Sequence, residues 1–348
     1  MNKTIANTVF KCFLAGMALS VPLTSLNVKA QNPSKTWNPN LKNGMYRNPV
    51  IDADYSDPDV CRVDNDYYMT SSSFQCFPGL QILHSTDLVN WEIIGAALLD
   101  DYPVLPVIQG RFEINDGASV SIDNVVLDGS ENVSADQAFN FKTTDATYGK
   151  VIIKNSEIKN FDKGVFYVNV ACTINELTFK NCLILDIKCD GGDMFDCRKG
   201  RIDNLNLLES TIYNSAASRD FIRMDDASAL GGAPVITVNK CTIDGASNKG
   251  KRLLYVRYVG NVINWTNNIV SNTGAVWSNQ SKTGVPTFQN NVYFNCAKLN
   301  VADVEGKTNM FADEAGKEAN PEYKDAAKGD FTIGNESVKK LGVGDPRW

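Results

Sequence analysis

Short strand-like triplets recur from residue 139 onward, and the side chains they turn outward include the groups best suited to holding a sugar. The triplets are Phe139-Asn140-Phe141, Phe166-Tyr167-Val168, Phe195-Asp196-Cys197, Ile222-Arg223-Met224, Leu254-Tyr255-Val256 and Val276-Trp277-Ser278. Alternate residues of a strand face opposite sides. With the first and third residues inward, the middle one and its next-but-one neighbour face out. The outward column reads Asn140/Lys142, Tyr167/Asn169, Asp196/Arg198, Arg223/Asp225, Tyr255/Arg257 and Trp277/Asn279. Tyr167, Tyr255 and Trp277 can stack on sugar faces, and Arg198, Arg223 and Arg257 can grip uronate carboxylates with paired hydrogen bonds. The same residues also suit a plain solvated face, with Asp196, Arg198, Arg223 and Asp225 pairing across neighbouring coils. Three aromatics on one face favour the first reading, and the Asp/Arg alternation favours the second. Other chemistry has little material. The only histidine is His84, which leaves almost nothing for a His-based zinc site or Ser-His-Asp catalysis. Asp190-Gly191-Gly192-Asp193 and Asp225-Asp226 could hold Ca²⁺. Solvated turns account for both runs more simply, so no cofactor is expected.

The elements that must position this column form a repeat. Seven segments align: VSIDNVVL (120–127), VIIKNSEI (151–158), LTFKNCLI (177–184), LNLLESTI (205–212), ITVNKCTI (236–243), INWTNNIV (263–270) and PTFQNNVY (286–293). Their starts lie 31, 26, 28, 31, 27 and 23 residues apart. Positions one and three are apolar, Pro286 excepted, and would share one face of a strand. The fifth position is Asn124, Asn155, Asn181, Glu209, Lys240, Asn267 and Asn290. Asn tolerates the left-handed backbone better than other non-glycine residues, so it can turn the chain sharply. A second short strand then points its eighth residue inward. Stacked Asn side chains can also hydrogen-bond from coil to coil. This pattern predicts an all-β fold, a right-handed parallel β-helix of about seven coils with three short strands per coil. Leucine-rich repeats lack their consensus here. Helical repeats would need a period of 3.6, whereas these segments alternate with period two.

Composition narrows the remaining classes. The chain has 348 residues, 43% hydrophobic and 21% charged, as in a folded protein. Its net charge of -6 argues against nucleic-acid binding. Lys3 and Lys11, an apolar stretch from Val9 to Leu23 and Val28-Lys29-Ala30 read as a secretory signal peptide cleaved near Ala30. The expected location is therefore secreted, periplasmic or cell-surface. No segment has the length of a membrane span, and a monomer is expected. Export permits disulfides. Yet the cysteines are irregularly spaced and mostly lie in apolar strand positions, so they read as small core residues. Cys61 with Cys76 is the one pair worth considering.

Residues 46–98 differ in grammar. Tyr67-Tyr68-Met69-Thr70 and Gln81-Ile82-Leu83-His84 read as antiparallel strands, with turns at Asp64-Asn65-Asp66 and Phe77-Pro78-Gly79. The text Tyr55-Ser56-Asp57-Pro58-Asp59-Val60, Asp66-Tyr67-Tyr68, Ser72-Ser73-Phe74 and His84-Ser85-Thr86-Asp87-Leu88-Val89-Asn90-Trp91 resembles the first blade of the glycoside hydrolase family 43 β-propeller. Its style is that of the β-xylosidase and α-L-arabinofuranosidase branch. The resemblance implies that Asp57 stands at the family's general-base position, that Phe74 and Phe77 belong to its sugar-binding wall, and that His84 is structural. Such inverting enzymes also need a general acid roughly 6.5–9.5 Å from the base. In the family that acid is a Glu of the third blade, and another Asp comes from the second. This chain leaves the pattern near residue 100, so Asp57 is expected to be orphaned. From residue 111 onward the chain resembles pectate-lyase-like β-helix proteins. It is closer still to a secreted β-helix family of unknown function, whose typical ending matches Gly344-Asp345-Pro346-Arg347-Trp348.

The expected layout is a signal peptide (1–30), a truncated propeller blade (31–98), a junction (99–110), the β-helix (111–300) and a C-terminal cap (301–348). Three functions compete. The first is a carbohydrate-active protein binding a plant-type or acidic polysaccharide without cleaving it. The second is an enzyme, either a glycosidase by descent or a β-helix lyase or hydrolase, which a complete acid/base set in the column would favour. The third is a structural or interaction module, favoured if the column is consumed in mutual ion pairs.

Overall fold

A computed structural model describes residues 37–53, 55–72, 79–98, 105–131, 136–296, 298–301 and 309–348. The leader expected at 1–30, and also Phe74, Cys76 and Phe77, lie outside these residues. The chain divides into two compact units, 1–103 and 104–348.

In the first unit, β1 (Asp59–Val63), β2 (Asp66–Thr70), β3 (Gly79–Ser85) and β4 (Glu92–Leu98) form one antiparallel sheet in chain order. Asp64 takes φ 54° at the β1–β2 turn, a conformation that Asp tolerates. Met69, Leu83 and Ala96 are buried, while Val60, Val63, Ile93 and Ile94 stay exposed. One sheet has too little apolar surface on a single side to build a full core.

The second unit is a parallel β-solenoid of three sheets. The first sheet runs through Val120–Asp123, Thr147–Lys154, Thr173–Lys180, Asn204–Leu208, Val235–Asn239, Val262–Thr266 and Thr287–Gln289. Its register is the alignment read from the sequence, with Val120, Val151, Leu177, Leu205, Ile236 and Ile263 in one row. Leu127, Ile158, Ile184, Ile212, Ile243, Val270 and Tyr293 form the matching row of the second sheet. Between the two sheets the corner residues all lie in the left-handed region, from Glu209 at φ 50° to Asn124 and Asn267 at 56°. Coil-to-coil amide bonds run along this corner, Asn181 Nδ2 to Asn155 Oδ1 at 2.8 Å and Asn290 Nδ2 to Asn267 Oδ1 at 3.0 Å. They lapse where Glu209 and Lys240 replace Asn.

A second polar corner follows five residues later, and the sequence reading missed it. Asn160, Asp186, Asn214, Asn272 and Asn295 all have positive φ. They bond across coils, for example Asn160 to Asp128 at 2.9 Å and Asn272 to Asp244 at 2.7 Å. The constant offset of five was the available signal.

The solenoid also begins earlier than expected. Val107–Gln109 pairs in parallel with Val126–Asp128, and Phe112–Ile114 pairs with Phe139–Phe141. The stretch read as a junction thus supplies a strand. Pro106 does not prevent this, because its carbonyl accepts from the Val126 amide at 2.9 Å and an edge strand tolerates a missing donor.

Phe139, Phe166, Phe195, Phe179, Phe221 and Trp265 fill the interior, each within 6.5 Å of another ring. Leu299 and Phe311 join that core at the C-terminal end. The closing residues instead lie along the outside of the second sheet, where Ile333, Val338 and Val343 bury Ile269 and Val292. Buried Asp345 accepts from Thr211 Oγ1 at 2.7 Å, and Arg347 Nη2 donates to Asn181 Oδ1 at 2.6 Å.

Candidate functional site

The third sheet, Phe112–Ile114, Phe139–Phe141, Phe166–Val168, Phe195–Cys197, Ile222–Met224 and Leu254–Val256, carries the outward column. Its register places Glu113, Asn140, Tyr167, Asp196, Arg223 and Tyr255 side by side. Short apolar strands force this display. Phe166 and Val168, Phe195 and Cys197, Ile222 and Met224, and Leu254 and Val256 are all fully buried, so the residues between them point away from the core.

The charged members form a ladder. Arg198 grips Asp196 through Nε at 3.0 Å and Nη2 at 2.8 Å. Arg223 grips Asp225 in the same way, Nε to Oδ1 at 3.0 Å and Nη2 to Oδ2 at 2.8 Å. Its third nitrogen, Nη1, reaches back one coil to Asp193 Oδ2 at 3.0 Å. Arg257 Nη2 approaches Asp225 Oδ1 at 3.0 Å from the next coil. Arg252 holds Asp220 through Nε at 3.0 Å and Nη2 at 2.8 Å, and donates Nη1 to Asn279 at 2.9 Å. The guanidinium of Arg252 lies 3.8 Å from the Tyr255 ring centre, with Arg257 at 5.0 Å and Arg223 at 5.2 Å. Arg198 lies 5.4 Å from the Tyr167 ring. Asp193, Asp220 and Arg252 were not singled out for this column. Each sits three residues ahead of an outward residue, at the corner entering the strand, where period-two reasoning stops.

Burial and charge act in opposite senses here. Burial raises the Asp196 carboxyl above the usual aspartate range against the pull of Arg198. Burial would also raise Asp225, but Arg223 and Arg257 outweigh it and hold that carboxyl low. The Arg198 guanidinium is raised, chiefly by its bond to Asp196.

Two expected members stand elsewhere. Trp277 faces the core, fully buried, with its indole nitrogen donating to the Leu299 carbonyl at 2.6 Å. The Leu253 amide donates to the Val276 carbonyl and the Leu254 amide to the Trp277 carbonyl, while Arg252 bridges Val276. Leu254 therefore faces Ser278, two residues on from the expected match. Trp277 falls beside Leu253, in the inward corner row that also holds Phe221. Asn140 faces outward but is buried, and donates to the Gln137 carbonyl at 3.3 Å. Tyr167, Asn169, Arg198, Arg223, Tyr255 and Arg257 remain partly exposed. Their side chains are brought onto one surface with Asp196 and Asp225. No group of three or more His, Cys, Asp or Glu side chains that could hold a metal occurs among the described residues.

In the blade, Asp57 is exposed at φ 49° just ahead of β1. Its carboxylate has no hydrogen-bond or ion-pair partner among the described residues. His84 stitches three strands, with Nε2 at 2.7 Å from Asp66 and Nδ1 at 3.4 Å from Glu92. Cys61 is exposed, while Cys172, Cys182, Cys189, Cys197, Cys241 and Cys296 are buried and unbridged. Burial pushes the thiols of Cys172 and Cys296 up to about 11, and those of Cys182 and Cys241 up to about 12.

Comparison with known proteins follows nearly the same division, with two family matches overlapping at residues 93–104. The family described as Glycosyl hydrolases family 43 matches residues 46–104. The solenoid matches two families described as Domain of unknown function, DUF4957 over 93–215 and DUF5123 over 236–348. The blade region is 48% identical over 61 residues to the non-reducing end alpha-L-arabinofuranosidase BoGH43B of Bacteroides ovatus, covering 18% of this chain and 12% of that protein. It is 46% identical over 52 residues to a xylan 1,3-beta-xylosidase of a Vibrio species, covering 15% and 10%. It is 49% identical over 51 residues to a beta-xylosidase of Bacillus subtilis, again covering 15% and 10%. The chain thus spans about a tenth of the length of these curated relatives. No solved structure matches it. These likenesses give a front segment similar to family 43 glycosyl hydrolases, followed by a β-solenoid similar to two domains of unknown function.

Proposed function

We propose that this is a secreted, non-catalytic carbohydrate-binding protein that holds a polysaccharide along the third sheet of its solenoid. The blade's likeness to xylosidases and an arabinofuranosidase supports the carbohydrate class, and the leader read at 1–30 supports secretion. The single observation that carries the site is the row Tyr167, Asp196, Arg223 and Tyr255 on consecutive coils, with Arg198 and Arg257 beside it. Coils repeat about every 4.8 Å along the axis, close to the length of one pyranose residue in an extended chain. Each sugar would then meet a new set of rigid donors. Cleavage is not part of this reading, because each ladder carboxylate is already committed to an arginine and Asp57 has no partner acid among the described residues. Calorimetric titration of the full chain with polysaccharide fragments tests the proposal. Assays for reducing ends and unsaturated products on any ligand found test the absence of chemistry.

One observation favours a second reading, a structural or interaction module. Arg252 at 3.8 Å already covers a face of Tyr255, and the pairing of the charged groups is complete enough to serve cohesion alone. On that reading no glycan binds at all.

A further inference from the structure

We propose that the ligand of this face is an uncharged glycan, and that the ladder excludes acidic ones. The inference rests on the binding role proposed above and specifies its substrate class. Four guanidinium groups, those of Arg198, Arg223, Arg252 and Arg257, face four carboxylates, those of Asp193, Asp196, Asp220 and Asp225, and every one has a partner within 3.0 Å. The balance of this set is zero. The fork geometry by which arginine recognises a carboxylate is already filled on Arg198 by Asp196, on Arg223 by Asp225 and on Arg252 by Asp220. At these three arginines a uronate would have to displace an aspartate or lie against it as a like charge. At Arg257, whose Nε is buried without a partner among the described residues and whose Nη2 lies 3.0 Å from Asp225 Oδ1, it would reach the outer edge beside that same carboxylate. Like-charge contact is strongly disfavoured at an interface. Displacement is worse, because a buried carboxylate would lose its partner.

A neutral sugar meets no such barrier. Its hydroxyls both donate and accept. Nη1 of Arg198 and Nη1 of Arg257 carry no bond to the protein among the described residues, and neither do the hydroxyls of Tyr167 and Tyr255. Each carboxylate oxygen can accept about two hydrogen bonds, so Asp225 Oδ2, which accepts from Arg223 Nη2, has room for a hydroxyl. A neutral chain therefore uses the spare donors and acceptors and breaks no ion pair.

The test titrates the full chain calorimetrically with xylo-oligosaccharide and oligogalacturonide of equal length. The neutral ligand should bind at least about tenfold more tightly, a gap of about 1.4 kcal/mol. Raising the salt to about 1 M, where the screening length falls to about 3 Å, should narrow the gap by improving the acidic ligand. Arginines free to grip uronates would give the opposite salt effect. Asp225→Asn, which unbalances the ladder by one positive charge, should raise oligogalacturonide affinity by about tenfold. The salt series on the unaltered chain keeps the test decisive if this variant folds poorly. Tighter binding of oligogalacturonide by the unaltered chain, weakened by salt, overturns this inference while leaving the binding role intact. Binding of neither ligand overturns the binding role itself, and this inference with it.

Discussion

Trp277→Ala measures which way the last coil faces. On an outward column this ring would be a ligand platform, and its removal would cost affinity but little stability. In the fold it is fully buried, 5.1 Å from the Trp265 ring and 4.9 Å from Phe288, and it donates to the Leu299 carbonyl at 2.6 Å. Truncating a buried tryptophan costs about 3–5 kcal/mol in lost packing and cavity. The Leu299 carbonyl keeps the Asp313 amide at 3.0 Å, so losing the indole donor adds little, and a loss of about 3–5 kcal/mol is expected. Because coils couple mainly to their neighbours, the damage should concentrate in the C-terminal coils. Urea unfolding followed by tryptophan fluorescence, with hydrogen exchange to locate the loss, provides the assay. Tyr255→Ala, on the outer surface, should cost no more than about 1 kcal/mol. If Trp277→Ala cost under about 1 kcal/mol and abolished glycan binding instead, the inward assignment of this coil would be refuted.

Other outcomes follow from the same contacts. The full chain should release no product from aryl xylosides or arabinofuranosides. Measurable turnover that disappears in Asp57→Asn would show that the blade has found a partner acid. Carboxyl chemical shifts followed against pH should put Asp196 above and Asp225 below the usual aspartate range. Asp225 then contributes stability above its unfolded pKa of about 3.9, lost as pH falls through its folded value, whereas the raised Asp196 does not resist acid in this way. His84 is raised chiefly by Asp66, and by Glu92. Its contribution is therefore full below about pH 6.5 and fades as pH rises through the higher folded value. Its ring resonance should titrate late, and Asp66→Asn should bring it back. Residues 105–348 should melt cooperatively alone, because Val107–Gln109 belongs to the solenoid. A cooperative melt from residues 37–98 alone would contradict the thin core of the blade.

The solenoid was legible because its physics repeats. One alignment of apolar positions and Asn corners reproduces the observed register across seven segments, since a slip of one residue would turn an apolar row to solvent. Reading failed where the repeat is broken. At Trp277 the strand shortens to a single bridge and the corner before it holds an inward residue, so counting by twos from a neighbouring coil misplaces the ring. The start at Val107 was hidden by Pro103 and Pro106, whose effect on an inner strand does not carry over to an edge.

The site was legible only in its membership. Sequence placed Asp196, Arg198, Arg223, Asp225, Tyr255 and Arg257 on one face, but which arginine serves which carboxylate depends on corner residues that alternation does not reach. Asp193 and Asp220 decide the matter. By occupying Arg223 and Arg252 from the corner, they extend the pairing that the Asp/Arg alternation offered as one of two readings into a neutral lattice. A face with unpaired arginines would attract anions through a net field, and its affinity would fall steeply with salt. A paired face offers direction without net charge, because each guanidinium is held in place by its carboxylate and presents its remaining N–H at a fixed angle. That suits a ligand recognised by hydroxyl geometry and not by charge. It also explains how buried carboxylates persist on an outward column: each is covered by the arginine that pairs with it, whose charge offsets the loss of water, so cohesion between coils and the display of donors come from the same contacts.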